Sequence, residues 1–134
     1  MSDEDIKEKQ LGINNKQVVQ LKELSDVKKF PDTPFSRQGA AFRFAFALGL
    51  ERGLKIERDK RKNIFQWSQV FGDAGIQEIK NLIKTVSGDH TNDVTKAIEE
   101  YAAWGVNFMH TNGYHQGMEM NILDEYESRL EKSE

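Results

Sequence analysis

An all-α fold, a compact bundle of four to five helices with a central apolar helix near residues 35–52, follows from three features of the sequence. Apolar residues recur at three- and four-residue steps through most of the chain, the period of a helix with one buried stripe. Both prolines, Pro31 and Pro34, fall in a single connector. The third feature is residues 39–53, GAAFRFAFALGLERG, which leave almost no polar side on a helix. A chain of 134 residues suits one domain that buries a core without cross-links. That domain is drawn over 13–131, between a flexible acidic start at 1–12 and a short tail at 132–134.

The first helix is expected from Asn14 or Asn15, either of which can cap it, through residue 28. Val18, Leu21, Leu24 and Val27 form its stripe. Pro31 and Pro34 stop it, because each proline pushes its predecessor out of the α region. The second helix starts near Thr33 to Ser36 and runs to about Arg52, with Gly53 suited to a left-handed cap. A helix apolar all round must be buried all round, either centrally in a bundle or at a subunit contact, and the sequence leaves both open. Phe42, Phe46 and Leu50 are the candidate contact residues. Arg43, set among them, favours a functional or interface role, since a buried guanidinium without a partner is costly.

A basic run, LKIERDKRKN, leads into IFQWSQVF, where residues 63–71 allow one short β segment. Asp73 is the expected cap of a third helix with Ile76, Ile79, Leu82, Ile83 and Val86 as its stripe, ending at Gly88. Thr91 or Asn92 caps a fourth that runs through Ile98 and Tyr101 to Val106. Gly105 either ends this helix or packs closely, as glycine costs roughly 1 kcal/mol there relative to alanine. Residues 111–121 are turn-rich, and 122–131 form a short acidic helix carrying Ile122, Leu123, Tyr126 and Leu130.

The absence of cysteine excludes disulfide frameworks, thiolate metal sites and a cysteine nucleophile. No apolar run approaches a membrane span, and the acidic start is unlike a signal peptide, so a cytoplasmic protein is expected. The net charge of −3 is unevenly placed. Residues 16–62 hold twelve Lys or Arg against six acids, whereas residues 63–134 hold five against twelve. Such a division suggests a basic surface for a polyanion, two halves that attract each other, or ordinary solvated faces.

Catalytic patterns are lacking. His110 and His115 are five apart, a spacing that matches no metal motif, although Asp89, His90, Glu119 and Asp124 have ligand chemistry. Ser87, Asp89 and His90 have the residue types of a hydrolytic triad without its elbow motif. Glu99 and Glu100 read as a solvent face. No cofactor is expected and no resident metal.

The layout of residues 16–53, KQVVQLKEL, a proline turn, then RQGAAFRFAFALGLERG, resembles the DndE-like small helical accessory proteins of bacterial DNA-phosphorothioation systems. That resemblance implies a self-associating helical protein that contacts DNA through basic residues, with Arg37 and Arg43 matching the arginine-bearing helix. The functional expectation is therefore a non-enzymatic, homo-oligomeric DNA accessory protein of DNA modification or phage defence. Arg37, Arg43, Arg52, Lys55, Arg58, Lys60, Arg61 and Lys62 are its phosphate contacts, and Phe65 and Trp67 its stacking positions. The alternative is a protein–protein adaptor joined through the second helix, with no nucleic-acid role.

Overall fold

A computed structural model describes residues 10–26 and 38–113. In chain order they form strand β1 (Gln10–Asn14), helix α1 (Asn15–Leu24), α2 (Gln38–Arg52), strand β2 (Arg61–Gln66), and helices α3 (Trp67–Phe71), α4 (Ile76–Ser87) and α5 (Val94–Gly113). Helices dominate, but the fold is not strictly all-α, because β1 and β2 pair antiparallel into a two-stranded sheet. The expected β segment is present as β2. Its second half, from Trp67, turns into the short helix α3.

Strand β1 corrects the reading of residues 10–12 as flexible. Leu11 and Ile13 are fully enclosed, and β1 is buried at every position after Gln10. Five residues are too few to display a period. The strand lies opposite β2 with Leu11 against Phe65 and Ile13 against Lys62, and the register slips between Leu11 and Gly12. Gly12 has to be glycine: a Cβ there would meet the carbonyl of Lys62.

Helix α2 packs most extensively on α5. At their crossing a Cβ on Gly49 would collide with the Tyr101 carbonyl, and one on Gly105 with the Ala45 carbonyl. Two glycines thus let the backbones touch, and α5 continues past Gly105 to Gly113. The first three residues of the expected turn-rich stretch are accordingly helical.

Around this crossing the phenylalanines of α2 complete the core. Phe46 meets Phe71 and Tyr101 edge-on, and Phe42 meets Phe65. Phe42, Phe46 and Leu50 are at most 2% exposed within the single chain, which corrects their reading as a subunit contact. The helix is also not enclosed on every side. Ala40, Arg43 and Glu51 are exposed and Ala47 half-buried, a strip at positions spaced by about one turn. Alanine tolerates water as readily as core, so counting it as apolar hid this face. Arg43 is an exposed residue of this strip, so the cost of a buried guanidinium does not arise.

The remaining helix ends follow local chemistry. Asp93, not Thr91 or Asn92, caps α5: its Oδ1 accepts the Lys96 N–H at 3.0 Å, and Thr91 Oγ1 accepts the Asp93 N–H. α4 starts after Gly75, not at Asp73, and ends on left-handed Gly88. α2 ends on left-handed Gly53. The proline connector, the caps Thr33 and Ser36, and the helix at 122–131 lie outside the described residues.

Candidate nucleic-acid interface

The basic run sits where the chain leaves α2 and lies along α5 before entering β2. The Ile56 N–H donates to the Glu100 carbonyl at 3.0 Å, which fixes the connector against α5. The Arg58 N–H donates to Glu100 Oε2 at 3.3 Å. Further along, Asn14 clasps the same segment from the other side. Its Nδ2 donates to the Glu57 carbonyl at 2.9 Å and its Oδ1 accepts the Asp59 N–H at 2.8 Å.

Below this connector, Glu99 is the electrostatic anchor. Its side chain is almost wholly buried (2% exposed for the residue). Arg61 binds it in two-pronged fashion, Nε to Oε1 at 2.8 Å and a terminal nitrogen to Oε2 at 2.6 Å. The Gly12 N–H donates to Oε2 at 2.7 Å. Arg58 Nε stands 2.8 Å from Oε1 as an ion pair, although its N–H is not aligned for a hydrogen bond. One carboxylate therefore ties β1, the connector and β2 to α5. Paired guanidiniums and a backbone donor offset the cost of taking a carboxylate out of water.

A second cluster neutralises Lys55. Its ammonium lies 2.7 Å from Asp89 Oδ2 and 4.8 Å from the centre of the Tyr101 ring. The Tyr101 hydroxyl donates to the same oxygen at 2.9 Å. Burial alone would lower the Lys55 pKa, but the Asp89 hydrogen bond and the surrounding charges raise it above its usual value. The Lys55 hydrogen bond holds the Asp89 carboxyl below the usual range, and burial pushes the Tyr101 phenol up. A phenol made harder to ionise is not an activated base. Ser87 Oγ donates to the Ile83 carbonyl at 2.8 Å and touches the Tyr101 hydroxyl at 3.1 Å. Ser87 and Asp89 thus meet around Tyr101 and Lys55, while His90 is exposed and hydrogen-bonds neither.

Of the predicted phosphate contacts, Arg58, Arg61 and Lys55 are engaged by acids, and Arg52 lies 4.7 Å from the Phe108 ring centre. Lys60 and Lys62 are exposed and carry no ion pair among the described residues. Lys60 holds a left-handed backbone (φ 46°) at the turn into β2. Arg43 is exposed on α2, and Arg37 lies outside the described residues. Neither aromatic offers an open face. Trp67 is buried with its indole N–H donating to the Ala74 carbonyl at 2.7 Å, and Phe65 is half-buried against Phe42.

His110 Nε2 lies 3.3 Å from Glu23 Oε2, joining α5 to α1, while His115, Glu119 and Asp124 lie outside the described residues. Among the described residues no group of three or more His, Asp or Glu is arranged to hold a metal ion, and no helix is long and apolar enough to cross a membrane. Sequence reasoning missed Glu99 and Glu100. A signal was present: Glu99 is three and seven residues before Ala102 and Val106, on the apolar side of its helix. Compared with known proteins, the chain matches no family model, no curated protein and no solved structure.

Proposed function

We propose that this chain is a non-enzymatic DNA-associated accessory protein, contacting phosphates with Lys60 and Lys62. The observation that carries the reading is the pairing pattern of the basic run. Glu99 and Asp89 hold Arg58, Arg61 and Lys55 in place, while Lys60 and Lys62 on either side of Arg61 remain exposed and unpaired. Lys62 on β2 and Lys60 at the turn before it would meet phosphates as point charges that carry no base preference. The footprint is smaller than the sequence charge suggests. With two to three phosphates neutralised, log affinity for duplex DNA falls with log salt at a slope of about −2 to −3. The likeness of residues 16–53 to DNA-phosphorothioation accessory proteins supports a role in DNA modification or phage defence. A duplex titration at two salt concentrations tests this. Binding at low salt that Lys60→Glu with Lys62→Glu abolishes is expected, and no binding at low salt ends the reading.

A protein adaptor is the second reading, and the exposed apolar residues of α4 support it. Leu82 and Val86, one turn apart, are 43% and 45% exposed. Light scattering on the wild type and on Leu82→Lys with Val86→Lys separates an assembly through this face from a monomer.

A further inference from the structure

The two-stranded sheet packs Leu11 and Ile13 into the core, and its register decides which side chains reach the other face. Residues directly opposite in a ladder share a face, so Gln10 and Gln66 lie on that outer face together with Gly12 and Asn63. Asn63 and Gln66 are three apart in sequence and would point to opposite sides of a regular strand. The slip between Leu11 and Gly12 leaves Ile64 with no residue opposite, and this extra residue turns both amides outward. Gln10, Asn63 and Gln66 are all exposed.

Neighbouring groups decide which end of each amide is presented. The Arg61 guanidinium, already held by Glu99, donates from the same terminal nitrogen to Asn63 Oδ1. A guanidinium carries donors only, so the Asn63 oxygen must face Arg61 and its Nδ2 must face away. Nδ2 has no hydrogen-bond partner among the described residues. At Gln66 the constraint comes from α3. Gln66 and Gln69 form a capping box: the Gln66 side chain meets the Gln69 N–H, and the Gln66 N–H donates to Gln69 Oε1 at 2.8 Å. A backbone N–H also calls for the amide oxygen, which leaves Gln66 Nε2 free to donate elsewhere. Gly12, opposite Asn63, adds no side chain to cover this face.

Two-stranded antiparallel ribbons fit the major groove of duplex DNA, where each base pair shows its own order of donors and acceptors. Guanine shows two neighbouring acceptors, N7 and O6, whereas in an A·T pair the adenine amino group separates the N7 and O4 acceptors. Amides with their oxygens tied back offer donors alone. They match guanine and meet a like group on adenine.

We propose that the outer face of the β1–β2 ribbon reads guanine in the major groove through Asn63 Nδ2 and Gln66 Nε2. The inference rests on the DNA reading above and deepens it. Lys60 and Lys62 supply attraction to phosphates, and the two amides supply the base preference that such contacts lack.

The experiment is fluorescence-anisotropy titration of the full chain, at low salt, with alternating duplexes of equal length: G·C, A·T and I·C. Inosine keeps the N7 and O6 of guanine and lacks only its minor-groove amino group. The G·C and I·C duplexes are expected to bind alike, and at least about fivefold more tightly than A·T. A G·C duplex carrying 7-deazaguanine, without the N7 acceptor, should bind more weakly than its parent, an arm that needs only the wild-type chain. Asn63→Ala, a change on an exposed residue, should narrow the preference and leave A·T affinity as it is. Equal binding of G·C and A·T, I·C behaving as A·T, or a full preference in Asn63→Ala would overturn the guanine inference and leave the DNA reading standing. No binding to any duplex would overturn both.

Discussion

Replacing Glu99 by alanine tests the central claim about how this chain holds its connector. The carboxylate accepts from Nε and a terminal nitrogen of Arg61 and from the Gly12 N–H, with Arg58 at ion-pair distance. Removing one partner of a buried pair costs about 3–5 kcal/mol where the other charge stays trapped. Here the arginine side chains are each 30% exposed and can turn to water, which reduces the penalty. The Gly12 N–H cannot move without parting the strands, and an unmet buried donor costs about 1–3 kcal/mol. A total loss of about 3 kcal/mol is expected, a drop in Tm of about 10 °C for a chain of this size. Urea unfolding of both proteins, followed by helical circular dichroism, gives the number. Glu99→Gln keeps one acceptor and should lose about half as much. A loss below about 0.5 kcal/mol for alanine, the range of ordinary surface changes, would refute the anchor.

Gly105→Ala should destabilise by about 2–3 kcal/mol in a melting experiment, because the overlap with the Ala45 carbonyl outweighs alanine's advantage in a helix. Asp89 titrates below its ordinary value of 3.8 when folded, so its stabilisation is complete above that pH and is lost as pH falls through the folded value. Asp89→Asn should therefore flatten the acid limb of a stability profile. Lys55 and Tyr101 are raised above 10.5 and 10.0, so their contribution is whole below those values and disappears as pH climbs past the folded ones. Lys55→Met should therefore be less stable at neutral pH and show a shallower alkaline limb than the wild type. Leu82→Lys with Val86→Lys should change stability by no more than about 0.5 kcal/mol each, since both side chains already meet water.

The helical elements were legible because their stripes are long. Ile79 with Ile83, and Ile98 with Tyr101 and Ala102, keep their period over several turns, and Gly53 and Gly88 end helices where a left-handed residue is needed. The sheet was not legible, since β1 is five residues long and its partner lies some fifty residues away in sequence. Local pattern carries no information about such a pairing. The site was misread for a related reason. Composition counts the charges of Arg58, Arg61 and Glu99 without saying that thirty-eight residues separate partners 2.6 Å apart. Arg43 shows the opposite error, an exposed position hidden by alanines at 40 and 47.

Strand β1 has one further consequence, for handling the protein. Deleting everything before Asn15 takes away the strand that pairs with β2 among the described residues, along with the Gly12 contact to Glu99. The shortened chain would present a bare row of β2 amides and carbonyls beside apolar Ile64 and Phe65. Such an edge invites pairing between molecules, so the trimmed protein should precipitate where the intact one stays dispersed.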